Sequence, residues 1–229
     1  MKKYKKNKVR HCDASELLES LDEASIDLIV TDPPYGISFR SNMRTATPKF
    51  DAIKDDTDPN YSILKDFYRV LKDGTALYLY TRWDVYPKWK KEIESVGFVI
   101  KNMCVWYKPG GGMGDLEGSY SPEHEICIFA HKGRHKIRGK RISDVWKLRK
   151  DPPGSYIHPT QKPIHAMELP ILKSSDEGDL VLDPYSGSGS TGVACAKSNR
   201  RFIGCDIEEK YVNLANERIH IELSQMKLF

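Results

Sequence analysis

Short apolar runs alternate along this chain with stretches in which apolar positions recur every three or four residues. The first pattern reads as buried strands and the second as amphipathic helices. Strand-like runs are Val9–Cys12, Ile26–Thr31, Ala76–Thr81, Phe98–Trp106, Glu125–Ala130, Leu180–Asp183 and Arg201–Asp206. Helix-like stretches are Ser15–Leu21, Tyr61–Lys72, Pro87–Val96, Pro163–Lys173, Thr191–Ser198 and Glu208–Gln225. Ala76-Leu77-Tyr78-Leu79-Tyr80 is apolar or aromatic at every position, as a central strand buried on both faces requires. The alternation predicts an α/β fold: a mostly parallel seven-stranded sheet with helices on both faces.

Two stretches carry no period. Residues 38–58 are rich in Asp, Thr, Pro and Lys, and residues 108–122 contain Pro109-Gly110-Gly111-Gly112. Long irregular segments in a compact domain are commonly lids or binding loops. The 229 residues fit one domain spanning 1–229 with a sizeable core. No apolar run approaches the roughly 20 residues of a membrane span. The five cysteines are scattered without CxxC pairs, which argues against a zinc site and a disulfide framework. The basic start is not followed by an apolar signal region, so the expected setting is the cytoplasm.

Charge matters through its distribution. Residues 1–10 carry six Lys/Arg and no acid, and Lys132–Lys150 carries nine with one acid, Asp144. Such patches suit a phosphate backbone, or are simply a solvated tail and hairpin.

Candidate chemistry begins at Asp32-Pro33-Pro34-Tyr35, directly behind the run Ile26–Thr31. Proline fixes φ and carries no donor. The Asp32 carboxylate and Pro33 carbonyl are therefore two acceptors on a rigid turn, with the flat ring of Tyr35 nearby. That set suits a planar heterocycle bearing an exocyclic NH2, adenine or cytosine. A tight turn after a buried strand is the plainer reading of Pro-Pro alone.

A second motif lies far downstream. Leu180 to Gly192 reads as a strand, a glycine turn and a helix start, whose amides face whatever sits over the turn. Phe202–Asp206 then ends another strand in an acid suited to the two hydroxyls of a ribose. Together they predict a nucleoside-containing cofactor. Gly187, Gly189 and Gly192 satisfy GxGxxG literally, which raises a dinucleotide site. Asp183-Pro184 at the turn and the single helix after Asp206 oppose it, and it leaves Asp32–Tyr35 unexplained. A purely structural glycine turn is the other alternative. Ligands of open parallel sheets bind beyond the carboxyl ends of strands. Adjacent motif strands would thus bring Gly187–Gly189 and Asp32–Tyr35 into one crevice.

Five segments in order then resemble the β class of S-adenosylmethionine-dependent DNA amino-methyltransferases. They are Arg10–Asp13, Ile26–Gly36, His158–Pro163, Asp183–Thr191 and Phe202–Arg218. Tyr185 stands where that family has Phe, and Ser190 where it has Thr. The resemblance implies a Rossmann-like methyltransferase fold with permuted motif order, S-adenosylmethionine as cofactor, double-stranded DNA as partner and no metal. Asp at the first catalytic position goes mainly with adenine N6 and Ser with cytosine, so adenine is implied. Cytosine N4 and a non-catalytic DNA-binding relic are the alternatives.

The implied catalytic set is Asp32, Pro33, Pro34 and Tyr35. Asp13 lies near the cofactor's adenine, or is an ordinary acid in a helix N-cap region, and Asp206 lies at the ribose. His158, Thr160, Gln161 and Lys162 contact the cofactor's methionine part, although His158 reads at least as well as a turn residue and Lys162 equally as a helix start. Asp183, Tyr185, Ser186, Gly187, Ser188, Gly189, Ser190 and Thr191 line the cofactor. Residues 38–58 and 107–157, with the basic stretch inside the latter, are the implied DNA-contacting insertions. Relatives that pair up imply a homodimer, which no apolar stripe here marks out. Methylation of a ring carbon needs a Pro-Cys nucleophile, and no cysteine follows a proline.

Overall fold

The computed structural model describes residues 7–35, 59–110, 117–149 and 161–226. The first half of the chain runs β1 (Lys8–His11), α1 (Ala14–Glu19), β2 (Ile26–Thr31), α2 (Ile63–Val70), β3 (Leu71–Thr81), α3 (Tyr86–Ser95) and β4 (Val99–Tyr107). It continues with β5 (His124–Lys132), β6 (Val145–Lys147), α4 (Ile164–Ser174), β7 (Leu180–Asp183), α5 (Ser190–Lys197), β8 (Arg201–Asp206) and α6 (Glu209–Met226). All six helices end within two residues of the predicted limits.

The strands form one sheet in the order β1-β8-β7-β2-β3-β5-β4-β6. Pairing is parallel except where β5 runs antiparallel to β3 and β4. The expected seven strands are therefore corrected to eight among the described residues. The addition, β6, pairs Val145–Lys147 with Val105–Tyr107 of β4. Three residues inside a charged stretch are too few to show a period. Packing fixes them instead: Trp146 is buried, and Trp106 Nε1 donates to the Leu148 carbonyl at 2.9 Å.

Alternation along β3 sorts the core into two faces. Ala76, Tyr78 and Tyr80 join side chains of α4, α5 and α6, while Leu77 and Leu79 join those of α1, α2 and α3. Helices thus cover both faces, and each fully buried aliphatic side chain contributes about 1.5–3 kcal/mol. β3 starts earlier than its apolar run. Leu71 already pairs with Ile26, after which the register skips to Leu28 opposite Ala76. Gly74 at φ 75° and the Thr75 hydroxyl, donating to the Lys72 carbonyl at 2.6 Å, shape the excursion.

The central consequence is that β2 and β7 are parallel neighbours, with Leu28 opposite Val181 and Ile29 opposite Leu182. The two motif strands therefore end side by side. Among the described residues no helix is long and apolar enough to cross a membrane.

Candidate active site

A buried acid ties the two motifs together. Asp183, at the end of β7, accepts from the Thr31 hydroxyl of β2 at 2.8 Å on one oxygen. The Tyr185 amide shares that oxygen at 3.1 Å, and the Thr191 hydroxyl takes the other at 2.6 Å. Burial pushes the Asp183 carboxyl up to about 6, against the pull of these three donors. Asp183 faces inward, and so do the other side chains of its turn. Ser186 Oγ donates to the Asp183 carbonyl, and Ser190 Oγ to the Lys162 carbonyl. Ser188 is buried as well. What this turn offers a ligand is backbone, together with the half-buried Tyr185 ring and Gly187.

The next residue after Thr31 is Asp32, whose side chain is 14% exposed. Its Oδ1 accepts from the Tyr35 hydroxyl at 2.6 Å and its Oδ2 from Lys162 Nζ at 2.5 Å. Lys162 also lies 3.2 Å from the Tyr35 hydroxyl and 3.2 Å from Glu125 Oε2. Glu125, entering on β5, is bound through Oε1 by the ammonium of Lys108. Tyr35 and Tyr80 place their rings 5.6 and 5.5 Å from Lys162 Nζ.

Two carboxylates and two ammonium groups thus form a balanced, largely desolvated cluster. Burial raises the Asp32 carboxyl, and Lys162 only partly offsets it. Burial would likewise raise Glu125, but Lys162 and Lys108 outweigh it and hold Glu125 below the usual carboxylate range. Burial disfavours the Lys162 ammonium, yet Asp32 and Glu125 prevail and keep it charged.

A second group of side chains sits at the ends of β1, β7 and β8. Asp13 caps α1, accepting from the Ser15 amide at 2.7 Å, and stays exposed. Asp206, half-buried, accepts from the Gly187 amide and the Glu208 amide, both at 2.9 Å. Gly189 adopts φ 79°, and a Cβ there would fall 2.7 Å from the Ala215 Cβ, so the turn requires glycine. Two carboxylates around a half-buried aromatic ring suit an adenosine: hydroxyl and amine donors for the acids, a flat base for the ring. These residues fit S-adenosylmethionine.

Of the sequence-predicted residues, His158, Thr160 and residues 38–58 lie outside the described residues. Gln161 is half-buried. Lys162 comes to Asp32 itself, a placement its motif did not suggest. Glu125 and Lys108 were missed. A lone acid opening the apolar run Ile126–Ala130 was a signal, but its partners depend on strand order.

Segment 107–157 is not uniform, since β5 within it is a central strand. Its basic stretch is also divided. Lys132 pairs with Thr75 at the start of β3, whereas Lys147 pairs with Tyr107 at the end of β4. Lys132 therefore lies about 20 Å, six strand residues, from the end of the sheet that carries Asp32.

The family model described as DNA methylase, for N6/N4 methyltransferases, matches residues 26–217. The Type II methyltransferase M.HpaI of Haemophilus parainfluenzae is 31% identical over 242 residues, covering 93% of this chain and 74% of that protein. M2.DpnII of Streptococcus pneumoniae is 31% identical over 248 residues, covering 96% and 92%. Among solved structures, the M1.HpyAVI–SAM complex superposes with a TM-score of 0.72 at 26% identity, covering 92% of this chain and 98% of that one. The PvuII DNA methyltransferase, described as cytosine-N4-specific, reaches 0.74 at 17% identity over 98% and 95%, a likeness of fold alone.

Proposed function

The chain belongs to the N6/N4 family of S-adenosylmethionine-dependent DNA amino-methyltransferases, and on that premise we propose that it methylates the exocyclic N6 amine of adenine in double-stranded DNA. The observation that carries this reading is the pairing of β2 with β7, sealed by the Thr31–Asp183 hydrogen bond. It sets the amine acceptors of the Asp32 turn next to the glycine turn and Asp206.

When bound, S-adenosylmethionine supplies a methyl group on an electron-poor sulfonium. The chain's own residues deal with the amine. An exocyclic amine is a weak nucleophile because its lone pair is delocalised into the ring. Hydrogen bonds from its two N–H groups to the Asp32 carboxylate and the Pro33 carbonyl favour a pyramidal nitrogen with a localised lone pair. The Asp32 charge then stabilises the positive charge that develops on that nitrogen, in a site already shielded from water. Tyr35 would stack on the base once it leaves the helix, since the amine is out of reach inside a duplex. Asp206 would hold the ribose and Asp13 the adenine edge, with Tyr185 beside it.

Adenine is favoured by the acid at the first position of the catalytic turn. Cytosine N4 is the second reading, since the matching family model spans N6 and N4 methyltransferases alike. The Type II names of the curated relatives support a place beside a restriction endonuclease. Lys147 and Arg149, exposed at the Asp32 end of the sheet, are the described cations best placed for the DNA backbone.

Incubation with labelled cofactor and unmethylated DNA, followed by digestion to nucleosides, tests this. Label in N6-methyl-2′-deoxyadenosine is expected. Label in N4-methyl-2′-deoxycytidine would transfer the activity to cytosine, and label in neither, with cofactor bound, would contradict both.

A further inference from the structure

Both oxygens of Asp32 already hold a donor. Tyr35 occupies Oδ1 at 2.6 Å and Lys162 occupies Oδ2 at 2.5 Å. Each oxygen can take a second donor, but an amine must share it with Tyr35 or Lys162 at a side chain only 14% exposed. Lys162 cannot simply withdraw to solvent, because its side chain is 6% exposed. A buried ammonium without a partner is strongly unfavourable.

Glu125 offers the way out. Its Oε1 is held by Lys108, but its Oε2 is buried and makes no aligned hydrogen bond, although Lys162 Nζ is 3.2 Å away. That oxygen is an acceptor waiting for a donor already beside it.

We propose that Lys162 is a movable counter-charge, which passes from Asp32 to Glu125 when the target amine arrives. The proposal rests on the reading of Asp32 as the amine acceptor. A small rotation at the end of the Lys162 side chain suffices. No proton changes hands: the ammonium stays an ammonium, exchanges one carboxylate for another, and leaves Asp32 Oδ2 for the amine. Tyr35 loses Lys162 in the same movement and keeps its bond to Asp32 Oδ1. Glu125 is then a positioning residue, acting through Lys162 without touching the base. Lys108 keeps Glu125 charged and fixed for this role. In the resting state Lys162 favours the charged form of Asp32 against burial while crowding the approach to Oδ2.

The groups facing Asp32 are Tyr35 on its own turn, Lys162 before α4, Glu125 and Cys127 on β5, Tyr80 on β3 and Asp183 on β7. Tyr35, Tyr80 and Cys127 are held neutral by burial. Lys162 is the cation among them, so its removal raises the pH at which Asp32 ionises.

The test is single-turnover methyl transfer to plasmid DNA carrying the mapped site, for the full chain with S-adenosylmethionine across pH. Glu125→Gln should slow transfer by about tenfold or more while DNA and cofactor dissociation constants stay within about twofold, and in a Lys162→Met background the same change should cost less than about threefold, the coupling expected of groups acting on one another. The acid limb of Lys162→Met should move to higher pH. An undiminished rate in Glu125→Gln overturns the proposal, as does an equal cost in both backgrounds. Should Glu125→Gln fail to fold, an acid limb unmoved by Lys162→Met overturns it alone. Asp32→Ala separates the levels. If it is inactive while Glu125→Gln is fully active, only the handover fails; if it transfers at the wild-type rate, the reading beneath it fails too.

Discussion

Asp183 shows how a single residue can serve the site without facing it. Its two oxygens collect the Thr31 and Thr191 hydroxyls and the Tyr185 amide, locking the end of β2 to the start of α5. Its carboxyl lies at about 6, above the ordinary 3.8, because burial penalises the charge. The folded chain therefore holds this proton more tightly than the unfolded one. The stability this provides is complete below about pH 4 and lost as pH rises through about 6. Between those limits the wild type should lose on the order of 2–3 kcal/mol relative to Asp183→Asn, in which the side chain cannot ionise. Thermal melting of both proteins over that range measures it, and a constant difference between them would contradict a raised carboxyl. At this scale the sequence was only half legible. Asp32 and Asp206 announce themselves by ending strands beside proline and glycine turns. The inward orientation of Asp183, Ser186 and Ser190 does not, because identical side chains at a turn can point either way until the strands are ordered.

The elements were nearly all legible, since each strand or long helix carries its own period. β6 was not: Trp146 is its one buried side chain, amid charges, and its pairing with β4 shows only in the fold. The excursion at Lys72–Thr75 was hidden because helical spacing in α2 runs on past the point where Leu71 joins the sheet. Placement of the charged stretch depends on strand direction. Because β5 is antiparallel, its following loop emerges at the end of the sheet opposite Asp32. Lys147 and Arg149 return to the Asp32 end, where the Arg149 carbonyl lies 2.6 Å from His165 Nε2. Reversing Lys147 and Arg149 to Glu should weaken DNA binding by about tenfold or more, while reversing Lys136 and Lys140 should change it by less than about threefold, because affinity follows the phosphates actually neutralised. Both double variants alter net charge equally, so fluorescence anisotropy on the same duplex isolates position. Equal losses would show that only overall charge matters.

At the scale of the molecule, one sheet order produces the site. Strands from the beginning and end of the chain, β2 and β7, become neighbours, and β8 and β1 continue the row. The Asp32 turn, the glycine turn and Asp206 then lie together at one end of the sheet. Resemblance of motifs could predict this crevice, because the motifs end strands. It could not predict that Lys162 crosses 130 residues of sequence to hold Asp32, since that contact belongs to no single element. The most direct measurement is the single-turnover rate of Asp32→Ala on a mapped DNA site, with cofactor and DNA affinities measured alongside. Glu125 remains to pair Lys162, so the fold survives the substitution. The rate should fall by at least about a hundredfold, the scale of losing one preorganised electrostatic contact, with both affinities nearly unchanged. A variant that still transfers methyl groups at the wild-type rate would contradict the account.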